Sequence, residues 1–329
     1  MSAIRNILII AQDGRLQYEA LLFAASLRDA PQNRNLRLIV AEPQPGPLWS
    51  CDPRISRPAI RRDLRALGAD IVPLHNKIWG EAYPNGNKIE ALRLLPKGEP
   101  FIFFDTDTLI TGALDGVDAA RATASVMVEP TWPRITLYGA GFAEIWGALY
   151  DMFGLDMDPT LDKRFGADDW RRYMYFNAGW FTGPCPVEFG QIYEDFARSI
   201  AASPPPSMAT QALFPWLDQI ALPLVIAQLK GGRPAAGVGL DGALDGELSL
   251  HYRALPVVYA TGTPHAVEVL ERVTGAPHLW DIFNQYVAFR RMVFKHQGRD
   301  LRARMQSAHL PRTYGKLQRR IREMGHWVR

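Results

Sequence analysis

Four consecutive apolar residues, Phe101-Ile102-Phe103-Phe104, run without transition into Asp105-Thr106-Asp107. A run this short and this apolar is the pattern of a strand buried on both faces, and such strands belong to sheets covered by helices on each side. The preceding hundred residues supply the rest of such a sheet. Residues 6–12, 36–41 and 71–74 are apolar runs of strand length, while residues 18–28 and 60–67 carry apolar side chains at helical spacing. After the turn signal Asn85-Gly86, residues 87–95 read as a further helix. Strands alternating with helices predict an α/β fold with a mainly parallel sheet and right-handed crossovers. Ligands of these sheets bind beyond the carboxyl ends of the strands, which is where Asp105-Thr106-Asp107 falls.

Downstream, the pattern predicts strands over 125–128, 175–182 and 256–260, with helices over 142–153, 187–202 and, despite Pro223, 216–228. Residues 231–246 form a Gly-rich loop region. No apolar run approaches the roughly 20 residues needed to span a bilayer, and the opening residues read as a first strand rather than a secretory leader. Cys51 and Cys185 are too few for a disulfide framework and lack metal-finger spacing, so a cytoplasmic setting is expected.

Two carboxylates at i and i+2 past a strand can face one way and share a cation. Mg²⁺ and Mn²⁺ take oxygen ligands and bind through one or two carboxylates together with substrate phosphate oxygens. An Asp pair at a strand end also serves as a plain turn or helix cap. A third reading is the nucleophile of a haloacid-dehalogenase-like phosphatase, whose DxDxT pattern is broken here by Leu109.

With these motifs in order, the chain resembles the GT-A fold glycosyltransferases (nucleotide-diphospho-sugar transferases), and family 8-like members in particular. The matching segments are residues 6–12, Asn87-Lys88-Ile89-Glu90-Ala91-Leu92, the strand with Asp105-Thr106-Asp107, Tyr175-Phe176-Asn177-Ala178-Gly179-Trp180-Phe181, and Leu217-Asp218-Gln219. They cover roughly residues 5–265.

The resemblance implies a hexosyltransferase-type enzyme that moves a sugar from a nucleotide-sugar donor, expected to be a UDP-sugar, to a hydroxyl on a glycan or lipid-linked acceptor. Its alternative is an inactive nucleotide-sugar-binding module. By the same resemblance Gln12, Lys88, Asp105, Thr106, Asn177 and Gly179 would meet the donor, with Gly179 leaving room for its close approach. Asp218, Gln219 and Asn177 would serve catalysis, and Asp105 and Asp107 would hold Mn²⁺ or Mg²⁺. Family 8-like members add a late His within a His-aromatic-x-Gly pattern followed by Lys-Pro-Trp. Here Tyr259 stands where that His is expected and Lys-Pro-Trp is missing, so His265 is taken as the third ligand and His251 as the second choice.

The catalytic domain is assigned to residues 1–285 and a basic helical extension to 286–329. From Arg290 onward twelve Lys or Arg face two acidic residues, although the whole chain is only +3, so the body is acidic. Leu317, Ile321, Met324 and Val328 make an apolar stripe with arginines on the other faces. Such a helix can lie on an anionic membrane surface or pack on the catalytic domain. The charge suggests no nucleic-acid partner, since no recognition helix or zinc pattern accompanies it.

Overall fold

The computed structural model describes residues 3–235, 246–306, 310–311 and 313–329; most of the Gly-rich stretch, residues 236–245, lies outside them. The amino-terminal half alternates as the apolar runs predict: β1 (Asn6–Ile10), α1 (Arg15–Asp29), β2 (Arg37–Pro43), α2 (Pro58–Ala66), β3 (Ala69–Leu74), the single-turn α3 (Asn87–Glu90), β4 (Phe101–Phe104) and β5 (Thr108–Ile110). Then come β6 (Thr123–Val126), α4 (Phe142–Met152), β7 (Phe176–Gly183), α5 (Pro186–Ala202), α6 (Leu217–Gln228) and β8 (Ser249–His251). The carboxyl-terminal part is helical: α7 (Leu255–Thr261), α8 (Pro264–Thr274), α9 (Pro277–Gln285), α10 (Val287–Phe289), α11 (Gln297–Gln306) and α12 (Tyr314–Glu323).

The main sheet has the order β3-β2-β1-β4-β7-β6, parallel from β3 to β4, with β7 antiparallel to both neighbours. Side chains of period two sort its strands between two cores. Ile7, Ile9, Ile102 and Phe104 join α1, α2 and the carboxyl-terminal helices on one face. Leu8, Ile10, Phe101 and Phe103 join α3, α4, α5 and α6 on the other. Chain order reverses between β1 and β4, so the crevice beyond their carboxyl ends is the switch point where such sheets bind ligands. A separate antiparallel pair, β5 with β8, sets Thr108 opposite His251.

One predicted strand is a helix. Residues 256–260 lie in α7, with Pro256 in its first turn and Val257, Val258 and Tyr259 fully buried. A short β-branched run carries no helix or strand period of its own, and packing against α11 and the α1 side of the core decides it.

The amphipathic stripe of the tail faces inward. Leu317, Ile321 and Val328 are buried in the same core as α1, with Met324 and Trp327 packed against it. The apolar face that a membrane-lying helix would sink into lipid is therefore covered by protein, and the arginines form its outer face. No helix among the described residues is long and apolar enough to cross a membrane. Truncating Leu317 to Ala should cost about 2–5 kcal/mol of stability in urea unfolding, as for a closed core site. A loss under about 0.5 kcal/mol would place α12 off the core.

Candidate metal and donor site

β4 delivers Asp105 to the switch point, and two backbone bonds hold the acidic segment. Asp105 N donates to Gly179 O of β7 at 2.8 Å, and Tyr252 N, just past β8, donates to Asp107 O at 2.9 Å. The two carboxylates draw their cationic partners from opposite faces of the sheet. Lys88 Nζ, from α3, lies 2.9 Å from Asp105 Oδ1 and 3.1 Å from Asp218 Oδ2, and also donates to Ala178 O at 3.2 Å. Ala178 adopts a left-handed φ of 55°, uncommon for a residue with a Cβ. Asp107 turns toward His251, whose Nε2 is 3.1 Å from Oδ1, and toward Arg15 at the start of α1, 3.5 Å from Oδ2.

Asp105, Asp107 and His251 each offer a ligand atom, and these atoms lie within 4.8 Å of one another. His265, the expected third ligand, is elsewhere: it is exposed at the start of α8 and its Nε2 meets Thr111 O at 2.9 Å. Tyr259, where the family's His was expected, is buried in α7 with its hydroxyl on Glu271. A signal for His251 was present in the sequence, because His251-Tyr252-Arg253-Ala254 is the His-aromatic-x-Gly pattern with Ala in the last place.

Gly179 has a different task from leaving room for a ligand. A Cβ there would stand 2.3 Å from His251 Nδ1 and 2.9 Å from Asn177 Oδ1, so the imidazole occupies the space that the missing side chain leaves. Asn177 is tied within β7 and β6, accepting from Gly179 N at 2.8 Å and from the Ser125 hydroxyl and donating to Val126 O.

The crevice in front of the acidic pair has a volume of about 360 Å³ and is lined by Gln12, Arg15, Lys88, Asp105, Thr106, Asp107 and Arg329 among others. Four of the residues expected at the donor are thus on its wall. Asn177, Gly179, Asp218 and Gln219 are not. Asp218 is buried at the start of α6, accepting from Tyr83 Oη at 2.6 Å and pairing with Lys88. Gln219 accepts from Tyr175 Oη at 3.0 Å and is half-buried. A larger open concavity of about 660 Å³ lies at the β2–β3 edge among Arg37, Arg65, Asp70 and Pro96, away from these carboxylates.

Burial raises the Asp105 pKa, although Lys88 and His251 pull it back. At Asp107 burial acts in the same direction, but His251 and Arg15 outweigh it and hold the carboxyl below its ordinary range. Lys88 is buried, which disfavours its charge, yet Asp105 and Asp218 raise its pKa. Behind Asp107, Glu19 receives two hydrogen bonds from Arg15, at 2.6 and 2.8 Å. Burial first, and repulsion by Asp107 second, push Glu19 up to about 8 despite Arg15.

Residues 7–230 match the Rhodobacterales glycosyltransferase domain. The chain belongs to that family. It is a glycosyltransferase, with the mainly parallel sheet flanked by helices that the sequence pattern predicts. No curated protein matches it. Among solved structures it is similar to the galactosyltransferase LgtC bound to donor and acceptor sugar analogues, at 15% identity over 70% of this chain and 73% of that one, with a TM-score of 0.40. An active-site mutant of LgtC gives 14%, 82%, 95% and 0.46 for the same quantities. The glycosyltransferase GlyE of Streptococcus pneumoniae gives 15%, 70%, 46% and 0.36, so the match spans less than half of GlyE.

Glu19 gives this glycosyltransferase a stability that depends on pH. Between the ordinary carboxyl pKa of 4.5 and about 8, the folded protein holds a proton that the unfolded chain releases. Stability from this group is full below that window and is lost as pH rises through it. The metal-free protein should lose melting temperature from pH 5 to 8, and Glu19→Gln should flatten the decline; equal slopes in both proteins would refute the assignment.

Proposed function

We propose that this glycosyltransferase is metal-dependent and transfers a hexose from a UDP-sugar to a hydroxyl of a glycan or lipid-linked acceptor. The observation that carries the reading is the convergence of Asp105, Asp107 and His251 at the mouth of the β1/β4 crevice. Two carboxylate oxygens and one imidazole nitrogen fit a Mn²⁺ or Mg²⁺ site, with the remaining positions left for phosphate oxygens and water. The space that Gly179 leaves for the His251 ring supports the same conclusion, because it holds the imidazole against Asp107.

A divalent cation held there would stabilise, as a Lewis acid, the negative charge that grows on the departing diphosphate. The protein's own groups prepare the site. Lys88 occupies Asp105 Oδ1 and leaves Oδ2 on the side of His251, 3.9 Å from its Nε2. Asp218 acts through Lys88 as a positioning residue, since its carboxylate is buried and held by Tyr83 and Lys88. Gln12 and Thr106 line the crevice and offer polar atoms to the nucleotide. Asn177 fixes the β6–β7 seam behind Gly179, and Gln219 has its amide nitrogen free among the described residues for a sugar hydroxyl or the acceptor. A phosphatase reading has less support, because Leu109 breaks the required motif.

Calorimetric titration with UDP, with and without Mn²⁺, tests the site. Asp107→Ala and His251→Ala should each lower the Mn²⁺-dependent affinity by more than about 100-fold, beyond what loss of a supporting residue around a metal causes. His265→Ala should bind like the parent. An unchanged affinity in the Asp107 variant sinks the site assignment. Donor hydrolysis measured across a set of nucleotide sugars then separates an active transferase from a binding module.

Gly179→Ala should displace the imidazole while leaving all three ligands in the chain. Its Mn²⁺ affinity should fall by at least about tenfold, within the range known for supporting residues of metal sites. Parent-like affinity would mean that His251 does not need the space that Gly179 leaves.

A further inference from the structure

Three cations line the crevice: Arg15, Lys88 and Arg329. Two are already engaged. Arg15 Nη1 is bound to both oxygens of Glu19 and lies 3.5 Å from Asp107, while Lys88 lies between Asp105 and Asp218. Arg329 makes no ion pair or side-chain hydrogen bond among the described residues. It nevertheless shares the crevice wall with Asp107 and lines the adjoining small pocket with Arg15 and Glu19.

The fold brings it there from the far end of the chain. α12 closes at Met324, and Gly325, at φ 74°, turns the backbone. The turn is fastened by Arg291, whose Nη2 donates to Gly325 O at 3.0 Å, and by His326 N on Ile321 O at 3.1 Å. Val328 is buried in the core with Leu317 and Ile321, so the residue before Arg329 is anchored while Arg329 itself is exposed on the crevice wall.

Charge balance shows what that guanidinium can meet. Arg15 is shared between Glu19 and Asp107, and Lys88 between Asp105 and Asp218. A divalent cation would take up the charge that the two ligand carboxylates keep. A nucleoside diphosphate entering the crevice then brings its own negative charges to a wall on which every cation but Arg329 is matched. A planar guanidinium suits this task, because its fork of N–H groups can engage two phosphate oxygens at once.

We propose that Arg329 is a donor-binding residue that engages the diphosphate of the nucleotide sugar, with the α12 turn as its mount. This rests on the donor reading given above and names a residue which that reading does not contain. The same guanidinium would face the diphosphate as it leaves, so its effect extends from donor affinity to the transfer step.

The test compares UDP, UMP and uridine in calorimetric titrations with Mn²⁺, using the full chain and its Arg329→Ala and Arg329→Lys variants. In Arg329→Ala the affinity for UDP should fall about tenfold to a hundredfold, the weight of a lost hydrogen bond to a charged group. UMP should lose less and uridine nothing, and Arg329→Lys should recover part of the loss. An unchanged melting temperature shows that the mount is intact. If the parent binds UDP and Arg329→Ala binds it equally well, the Arg329 assignment alone is overturned. If the parent binds none of UDP, GDP, ADP and CDP with Mn²⁺, the donor reading fails and this assignment fails with it.

Discussion

The buried ammonium of Lys88 is the interaction on which the site depends. It joins three elements that are distant in sequence: α3, the end of β4 through Asp105, and the start of α6 through Asp218. A charge so deep is tolerated only when it is paired and hydrogen-bonded, and here Ala178 O supplies a third acceptor. Removing one partner of such a group leaves an uncompensated charge and costs about 3–5 kcal/mol. The left-handed backbone at Ala178 belongs to the same arrangement, because it is the Ala178 carbonyl that receives Lys88. Fixing Asp105 through Oδ1 determines which of its oxygens is left to face His251.

Asp107 is supported from the other side of the sheet. Its partners, Arg15 and His251, come from α1 and β8, and Glu19 behind Arg15 is held in turn by burial and by the same guanidinium. The acidic pair thus bridges the two cores that the period-two strands create. Covering the α1 face takes the carboxyl-terminal helices as well, which is why the extension reads as part of this core and not as a detached tail. Its arginines, facing outward, leave the charge asymmetry seen in the sequence on the surface.

Most of the sheet was legible because full burial leaves an unmistakable mark. Phe101–Phe104 and Asn6–Ile10 have no polar residue beyond Asn6, and a helix follows the second of them. The strand expected over 256–260 failed since five apolar residues, two of them β-branched, look alike in a buried helix and a buried strand. The acidic pair was legible from its place after β4, whereas its third partner was not. His265 was taken as the third ligand, but Pro264 opens α8 and the imidazole meets Thr111 O instead. The approach of Arg329 to the crevice has no local signature at all, because it depends on how α12 joins the core that holds α1, at the other end of the chain.

Register explains why the third partner comes from β8. The antiparallel pair sets His251 opposite Thr108, one residue past Asp107, and Leu250 opposite Leu109. Leu250 and Leu109 are buried, so sliding β8 by one residue would turn Leu250 toward the carboxylates and His251 into the core. The apolar side chains of this two-stranded sheet therefore fix the position of the imidazole, and Tyr252 N on Asp107 O locks the same alignment from the backbone. Gly179 completes the constraint from β7, since any larger residue would occupy the place of the imidazole. The geometry of the candidate metal site is thus set by residues that would never touch the metal.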